Sequence, residues 1–197
     1  MKNHIFLLFL FLSGISMAQT TKEASTSTLP KGEVAKSKQS VTLDGKVIPL
    51  SAEAGTLQLK DENNKPIALY GYTAYFKDNP EKNRPIVFAY NGGPGSSSYW
   101  LHMGVMGPKR IVVDDPNYNA AAPYELTNNE FSILDVADVV MMDPVGTGLS
   151  VPIGDSKGAD FWGVDQDIRS TSLFIMQFLK EHGRLNSPKY ILGESYG

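Results

Sequence analysis

Cysteine is absent from this chain of 197 residues, and histidine is scarce, with only His4, His102 and His182. The lack of cysteine excludes disulfide bonds, thiolate metal sites and a cysteine nucleophile. The histidines do not occur in a metal-ligand spacing such as His-x-x-x-His, so we expect no metal site. The sequence also indicates no other cofactor.

An excess of positive charge is also absent, because the formal net charge is -3 and the basic residues do not cluster. This distribution argues against binding to nucleic acid or to an anionic membrane surface. Hydrophobic residues make up 42% and charged residues 20%, as in ordinary soluble globular proteins. The length suffices for one domain with a sizeable core, and the sequence does not define the oligomeric state.

Long hydrophobic runs are missing too, since the apolar segment 5–12 has only eight residues. A membrane-spanning helix needs about 20, so the alternative of a stable membrane anchor is disfavoured. Lys2 precedes the segment, and the small residues 16–18 offer a cleavage site before Gln19. We therefore predict a signal peptide over 1–18 and export to the periplasm or the outside of the cell.

The next segment, 19–40, is polar and is predicted to be a disordered leader. We predict one folded domain over 41–197. It begins with antiparallel strands, because Asp44-Gly45 is a hairpin signal between two short apolar segments. A strand over 55–60 and a second over 67–76 should pair in the same antiparallel way.

Buried strands are predicted further along the chain at 85–90, 136–142 and 190–192, which are nearly all apolar. A helix should start near Asp160 as N-cap and end at Gly183, which gives a right-handed crossover between the last two strands. The smaller predictions are a short helix over 99–106, a strand over 110–114 and a loop over 115–130. The fold class is therefore α/β, with antiparallel N-terminal strands leading into a mostly parallel sheet.

Small-residue turns follow these three strands at 91–95, 143–148 and 193–197. The carboxyl ends of parallel strands meet at one edge of a sheet, where ligands bind. Phosphate binding is disfavoured, because the first turn lacks the lysine of a P-loop and has Ser98 where a dinucleotide fingerprint needs glycine. Acyl transfer instead needs backbone N–H groups that face a developing oxyanion, which adjacent glycines allow.

The last turn, Gly193-Glu194-Ser195-Tyr196-Gly197, has the Gly-x-Ser-x-Gly pattern of a nucleophile elbow. Serine needs a base, and in α/β-hydrolases the acid and the histidine follow the serine along the chain. We therefore expect both beyond Gly197 and interpret the sequence as an N-terminal fragment without activity of its own. His102 is more simply a packed or solvated side chain, and His182 suits the negative end of a helix.

Together with Gly107-Pro108, the three turns resemble the serine carboxypeptidases, the carboxypeptidase Y-like family, over about residues 55–197. The resemblance implies an α/β-hydrolase fold that is truncated here after the nucleophile strand. It also implies hydrolysis of the C-terminal peptide bond of peptides or proteins through an acyl-enzyme.

Site roles follow from the same resemblance. Ser195 would be the nucleophile, and the backbone N–H groups of Gly93 and Tyr196 would form the oxyanion hole. The terminal carboxylate of the substrate would be held by Asn91, Gly92 and Glu194. Glu194 would share a proton with that carboxylate, because two carboxylates in contact cannot both ionise cheaply. A salt-bridged surface position is the alternative for Glu194.

The sequence departs from the family pattern at three positions. Ala89 stands where tryptophan is usual, Ser96 where cysteine is usual, and Val105 where many members have a second glutamate. The missing acid favours the alternative of an acyltransferase or esterase on the same scaffold. An inactive binding homologue is a further alternative.

Overall fold

A computed structural model of the protein describes residues 29–113 and 122–197. The predicted signal peptide, the first part of the predicted leader and part of the predicted loop over 115–130 lie outside these ranges. Within them, no helix has both the length and the apolar character needed to cross a bilayer.

The described residues form nine strands and two α-helices. The strands are β1 Val34–Leu43, β2 Lys46–Lys60, β3 Pro66–Lys77, β4 Ile86–Asn91, β5 Lys109–Ile111, β6 Leu126–Asn128, β7 Asp138–Asp143, β8 Val151–Pro152 and β9 Lys189–Glu194. The helices are α1 Tyr99–Leu101 and α2 Val164–Glu181, with a π-helical segment at His102–Met106 and a 3-10 turn at Gly158–Asp160.

The main sheet is mixed and has the order β1-β2-β3-β7-β4-β9, with β8 added beside β3. β1, β2, β3 and β7 pair antiparallel. β4 lies between β7 and β9 and is parallel to both. The connection from β7 through α2 to β9 therefore crosses β4, and the architecture is of the α/β class.

Each face of the main sheet carries its own core. On one face, Phe174 and Phe178 of α2 lie one turn apart and pack on Tyr70, Tyr72 and Phe88 of the sheet. On the other face, a second apolar cluster joins Leu101, Met106 and Leu134 to the strands. These layers bury the central strands of the sheet, whereas Tyr190 and Ile191 of β9 are largely exposed.

The leader prediction is wrong at its C-terminal end, because β1 begins at Val34. β1 pairs with β2 along its whole length, through a turn at Asp44-Gly45 that the sequence did predict. The side chains of residues 34–40 remain exposed, so they carry no hydrophobic alternation. The pairing depends on backbone hydrogen bonds, which composition does not indicate.

The predicted start of the long helix is also wrong. Gly163, with φ +131°, is the N-cap of α2. Asp160 belongs to the preceding 3-10 turn, where its Oδ2 accepts a hydrogen bond of 2.7 Å from the backbone N–H of Lys157. Asp160 is therefore part of a separate 3-10 turn and does not cap α2.

Smaller differences concern strand lengths. The strand predicted over 55–60 is the last six residues of β2, and the strand predicted over 110–114 is limited to β5. β6 lies within the segment predicted as a loop, where it pairs with β5. The helix predicted over 99–106 consists of α1 and the π-helical segment.

Candidate active site

The three parallel strands bring the predicted turns together. β4, β7 and β9 end at Asn91, Asp143 and Glu194, on the same edge of the sheet. Asn91 is directly opposite Glu194 in the parallel register of β4 and β9. The site residues predicted on the first and last turns therefore face one another from neighbouring strands.

Ser195 occupies a tight turn directly after β9. Its φ is +61°, a left-handed conformation that costs a non-glycine residue about 1–3 kcal/mol. The N–H of Gly197 donates to the carbonyl oxygen of Glu194 at 3.0 Å and closes the turn. A methyl group at Gly193 would collide with the backbone of Gly197. Ser195 is thus exposed at the end of the strand in a strained turn that needs both glycines.

The glycine-rich turn after β4 packs directly against this serine turn. A methyl group at Gly92 would collide with the backbone nitrogen of Tyr196 and would lie 2.6 Å from that of Gly197. Gly93 follows with φ +114°, which a side chain would strain. The structure therefore brings Gly92 against Tyr196, and this close approach requires a residue without a side chain.

Asn91 connects the two turns through its side chain. Its Nδ2 donates to Oε2 of Glu194 at 3.1 Å, and its Oδ1 accepts from the backbone N–H of Leu101 at 3.1 Å. The residue is only 4% exposed. These partners fix the orientation of the amide, and one amide hydrogen remains for a further acceptor. Glu194 is exposed, and its carboxylate accepts from a neutral amide.

Asp143 was not predicted as a site residue, yet it holds the first two turns together. Its Oδ1 accepts a hydrogen bond of 2.8 Å from the backbone N–H of Ser98. Burial raises the pKa of Asp143, while the backbone N–H groups of Ser98 and Leu149 lower it. The Ser98 hydroxyl donates to the carbonyl oxygen of Met142. Ser98, which stands where a dinucleotide fingerprint has its third glycine, is therefore buried and hydrogen-bonded to the end of β7.

A cavity of about 860 Å³ opens beside the turns, between α2 and the ends of β4 and β9. Its walls are largely apolar and include Val145, Trp162, Ile168 and Ile191. Among the described residues, no group of three or more histidine, aspartate or glutamate side chains is arranged to hold a metal ion.

Asp167 lines this cavity and contacts the serine turn. Its Oδ2 accepts a hydrogen bond of 3.4 Å from the Tyr196 hydroxyl. Burial raises the pKa of Asp167, and this hydrogen bond opposes the increase. The sequence alone does not indicate this residue, because an acid in the first turn of a helix is common for electrostatic reasons.

Both described histidines have partners other than Ser195. His102 Nε2 lies 2.7 Å from the Tyr75 hydroxyl, and burial lowers the pKa of His102. His182 caps the end of α2, where its ring stacks on Phe178 and its Nε2 lies 3.0 Å from Glu53 Oε2. Their surroundings are those of packed side chains.

A serine in a strained turn at the end of a parallel strand is typical of hydrolases with a nucleophile elbow. The family model for serine carboxypeptidases matches residues 43–197. The chain therefore belongs to the serine carboxypeptidase family.

Curated relatives agree with this assignment. The chain is 28% identical to Serine carboxypeptidase-like 10 of Arabidopsis thaliana, over 78% of its own length and 33% of the relative's. It is 32% identical to Pheromone-processing carboxypeptidase KEX1 of Clavispora lusitaniae, over 73% of the chain and 20% of the relative. It is 32% identical to Carboxypeptidase Y homolog A of Phaeosphaeria nodorum, over 69% of the chain and 23% of the relative. The matched region thus spans a third or less of these relatives.

Proposed function

We propose that the full gene product is a serine carboxypeptidase, which removes the C-terminal residue of peptides through an acyl-enzyme. Its fold would be an α/β-hydrolase, of which β1 to β9 form the N-terminal part. One observation carries the proposal. Gly92 of the glycine-rich turn lies against the backbone nitrogen of Tyr196, the residue that follows the strained Ser195. This close packing supports the proposal, because it brings the backbone of the two turns together next to the proposed nucleophile.

In the proposed reaction, Ser195 Oγ attacks the carbonyl carbon of the last peptide bond. The carbonyl oxygen becomes negative and accepts hydrogen bonds from the N–H groups of Gly93 and Tyr196. The C–N bond then breaks, the terminal amino acid leaves with a proton, and an ester to Ser195 remains. Water hydrolyses this ester to release the shortened peptide.

A base must accept the Ser195 proton during this attack. We expect the histidine and its acidic partner in the part of the full gene product that corresponds to the unmatched two thirds of the relatives. His102 and His182 are not proposed for this role, because Tyr75 and Glu53 already bind their rings. The 197 residues alone should therefore not hydrolyse peptides.

Recognition of the terminal carboxylate would fall to Asn91, Gly92 and Glu194. The remaining amide hydrogen of Asn91 and the N–H of Gly92 are suitable donors. Glu194 would share a proton with the substrate carboxylate, since two ionised carboxylates in contact repel strongly. Because this group of donors sits beside Ser195, binding of the carboxylate would place the last peptide bond at the nucleophile.

One observation favours a second candidate, an acyltransferase or esterase. Val105, where many family members have glutamate, is 52% exposed at the end of the π-helical segment and offers no hydrogen bond through its side chain. A weaker carboxylate site would permit acyl donors without a free carboxylate. An inactive binding homologue is the third candidate. Export directed by residues 1–18 is proposed for all three.

The decisive experiment treats the full gene product with a fluorophosphonate probe and with blocked dipeptides that have free or amidated C-termini. We expect the probe to label Ser195, Ser195→Ala to abolish labelling, and Ser40→Ala on the exposed part of β1 to leave it unchanged. The free C-terminus should be preferred at least about tenfold, equivalent to about 1.4 kcal/mol.

Two results would contradict the proposal. Equal rates on free and amidated dipeptides would favour the acyltransferase or esterase. Failure of the probe to label Ser195 in the folded protein would favour the inactive binding homologue.

A further inference from the structure

Tyr196 contributes two different groups to this region of the molecule. Its backbone nitrogen lies against Gly92, and its hydroxyl reaches α2. The turn that carries it follows β9, which is the last strand in the order of the described sheet. The hydrogen bond from the Tyr196 hydroxyl connects the turn to α2.

The Tyr196 hydroxyl contacts the first turn of α2. Asp167 Oδ2 accepts the hydrogen bond from the Tyr196 hydroxyl at 3.4 Å, and Asp167 N donates to the Gly163 carbonyl oxygen at 2.8 Å in the first turn of α2. α2 is anchored in the core by Phe174 and Phe178, both fully buried. A path of contacts therefore runs from the packed helix to the residue after Ser195.

We propose that Asp167 is a positioning residue, which holds the Tyr196 side chain and thereby fixes the direction of the Tyr196 backbone N–H in the oxyanion hole. This inference rests on the proposed function. The hydrogen bond is long, and such bonds in free enzymes often shorten when the transition state forms. Asp167 does not touch the substrate in this mechanism, since its effect passes through Tyr196.

The competing explanation is that Asp167 only stabilises α2. Acids in the first turn of a helix interact favourably with the helix dipole, and Asp165 occupies the same turn. Asp165 is exposed and does not line the cavity. Asp165→Ala is therefore a matched control that removes a helix-end charge without touching Tyr196.

The test compares variants of the full gene product by kcat, KM and the rate of fluorophosphonate labelling. Asp167→Ala and Tyr196→Phe should each lower kcat and the labelling rate about threefold to tenfold, with KM within about twofold, because one positioning hydrogen bond is lost. The double variant should be no slower than either single variant. Asp167→Asn keeps an acceptor oxygen and should restore most of kcat, while Asp165→Ala should leave it unchanged.

Three results would overturn the inference: unchanged kcat in Asp167→Ala and Tyr196→Phe, multiplied losses in the double variant, or an equal loss in Asp165→Ala. If Asp167→Ala fails to fold, Tyr196→Phe and Asp167→Asn still decide the matter. If the unsubstituted protein is labelled and hydrolyses peptides but the variants match it, only this inference fails. If the unsubstituted protein is not labelled, the proposed function fails and this inference with it.

Discussion

At the amino ends of the parallel strands β4, β7 and β9, one buried carboxylate is paired with two arginines, whereas at their carboxyl ends strained turns meet around a serine. Asp138 is fully buried and accepts hydrogen bonds from Arg84 Nε at 3.0 Å, Arg184 Nη1 at 2.6 Å and the backbone N–H of Lys77 at 3.0 Å. Asn91 and Glu194, at the opposite ends, are joined by one amide hydrogen bond.

The arginines at the amino ends have little bonding capacity left. Arg84 also donates to the carbonyl oxygens of Leu134 and Asp135, and Arg184 donates to the Ser187 hydroxyl. At the carboxyl ends, donors remain available and the backbone at Ser195 is strained. The same three strands thus combine a fully paired end, which stabilises the fold, with an end whose free groups and strain suit binding and catalysis.

The largest expected effect comes from breaking the paired end. Asp138→Ala would remove the carboxylate of Arg184 and would leave Arg84, whose side chain is 4% exposed, with only Glu81 at 3.3 Å. Removing one partner of a buried ion pair costs about 3–5 kcal/mol, because the remaining charge stays buried and uncompensated. Urea unfolding of the full gene product measures this loss, and the folded fraction should label at Ser195 at the normal rate.

Asp155→Ala is the matched control, since Asp155 pairs with Lys65 in the solvent and its side chain is 88% exposed. Its free energy of unfolding should hardly change, because exposed pairs are screened. A similar loss for both variants would show that the amino ends are not a special source of stability.

The second effect concerns the carboxyl ends and should change activity more than stability. Gly92→Ala would introduce a methyl group that collides with the backbone nitrogen of Tyr196. Displacing the Tyr196 N–H, the proposed oxyanion donor, should lower kcat by about 10²-fold or more, equivalent to about 2.7 kcal/mol of transition-state stabilisation. The kinetics of peptide hydrolysis provide the measurement.

Gly104→Ala is the control for this substitution, because a methyl group at Gly104 meets no atom within 4 Å. It lies in the π-helical segment after the same turn and should leave kcat unchanged. If Gly92→Ala retains full activity, the close packing of the two turns has no role in catalysis.

The sequence predicts the two ends of the parallel strands unequally. The strands and turns of the carboxyl ends are visible because apolar runs and glycine patterns are local features. The cluster at the amino ends is not visible, since Asp138 is 54 residues from Arg84 and 46 from Arg184 along the chain. Its formation depends on the strand order and the register, which local patterns do not contain.

The same limit explains why two residues at the carboxyl ends, Asp143 and Asp167, were not predicted. In the sequence, Asp143 is only an acid before a proline, and Asp167 is only one of two acids near the start of a helix, so neither pattern indicates a site residue. Their contacts with Ser98 and Tyr196 exist only after the strands are ordered and α2 is placed. The exposed half of β1 was missed for a related reason, because its partner strand and not its own composition holds it in place.

The smallest expected effect is a pH dependence of stability that comes from His102 in the π-helical segment. Burial lowers the pKa of His102, which lies just after the glycine-rich turn and is hydrogen-bonded to Tyr75. The unfolded chain binds a proton near the ordinary value of about 6.5, while the folded chain resists it. Stability should therefore be complete above this value and fall as the pH drops from it to the lowered folded pKa, without further loss from this group below.

His102→Gln tests this assignment, because glutamine can still bond the Tyr75 hydroxyl but does not titrate in this range. Urea unfolding at a series of pH values should show a shallower decline below pH 6.5 for the variant than for the unsubstituted protein. The label at Ser195 should form at equal rates in both at neutral pH, where His102 is uncharged in the folded state. Identical pH profiles would mean that His102 is not responsible for the acid sensitivity, and the contrast between the two strand ends would then rest on ion pairing and backbone strain alone.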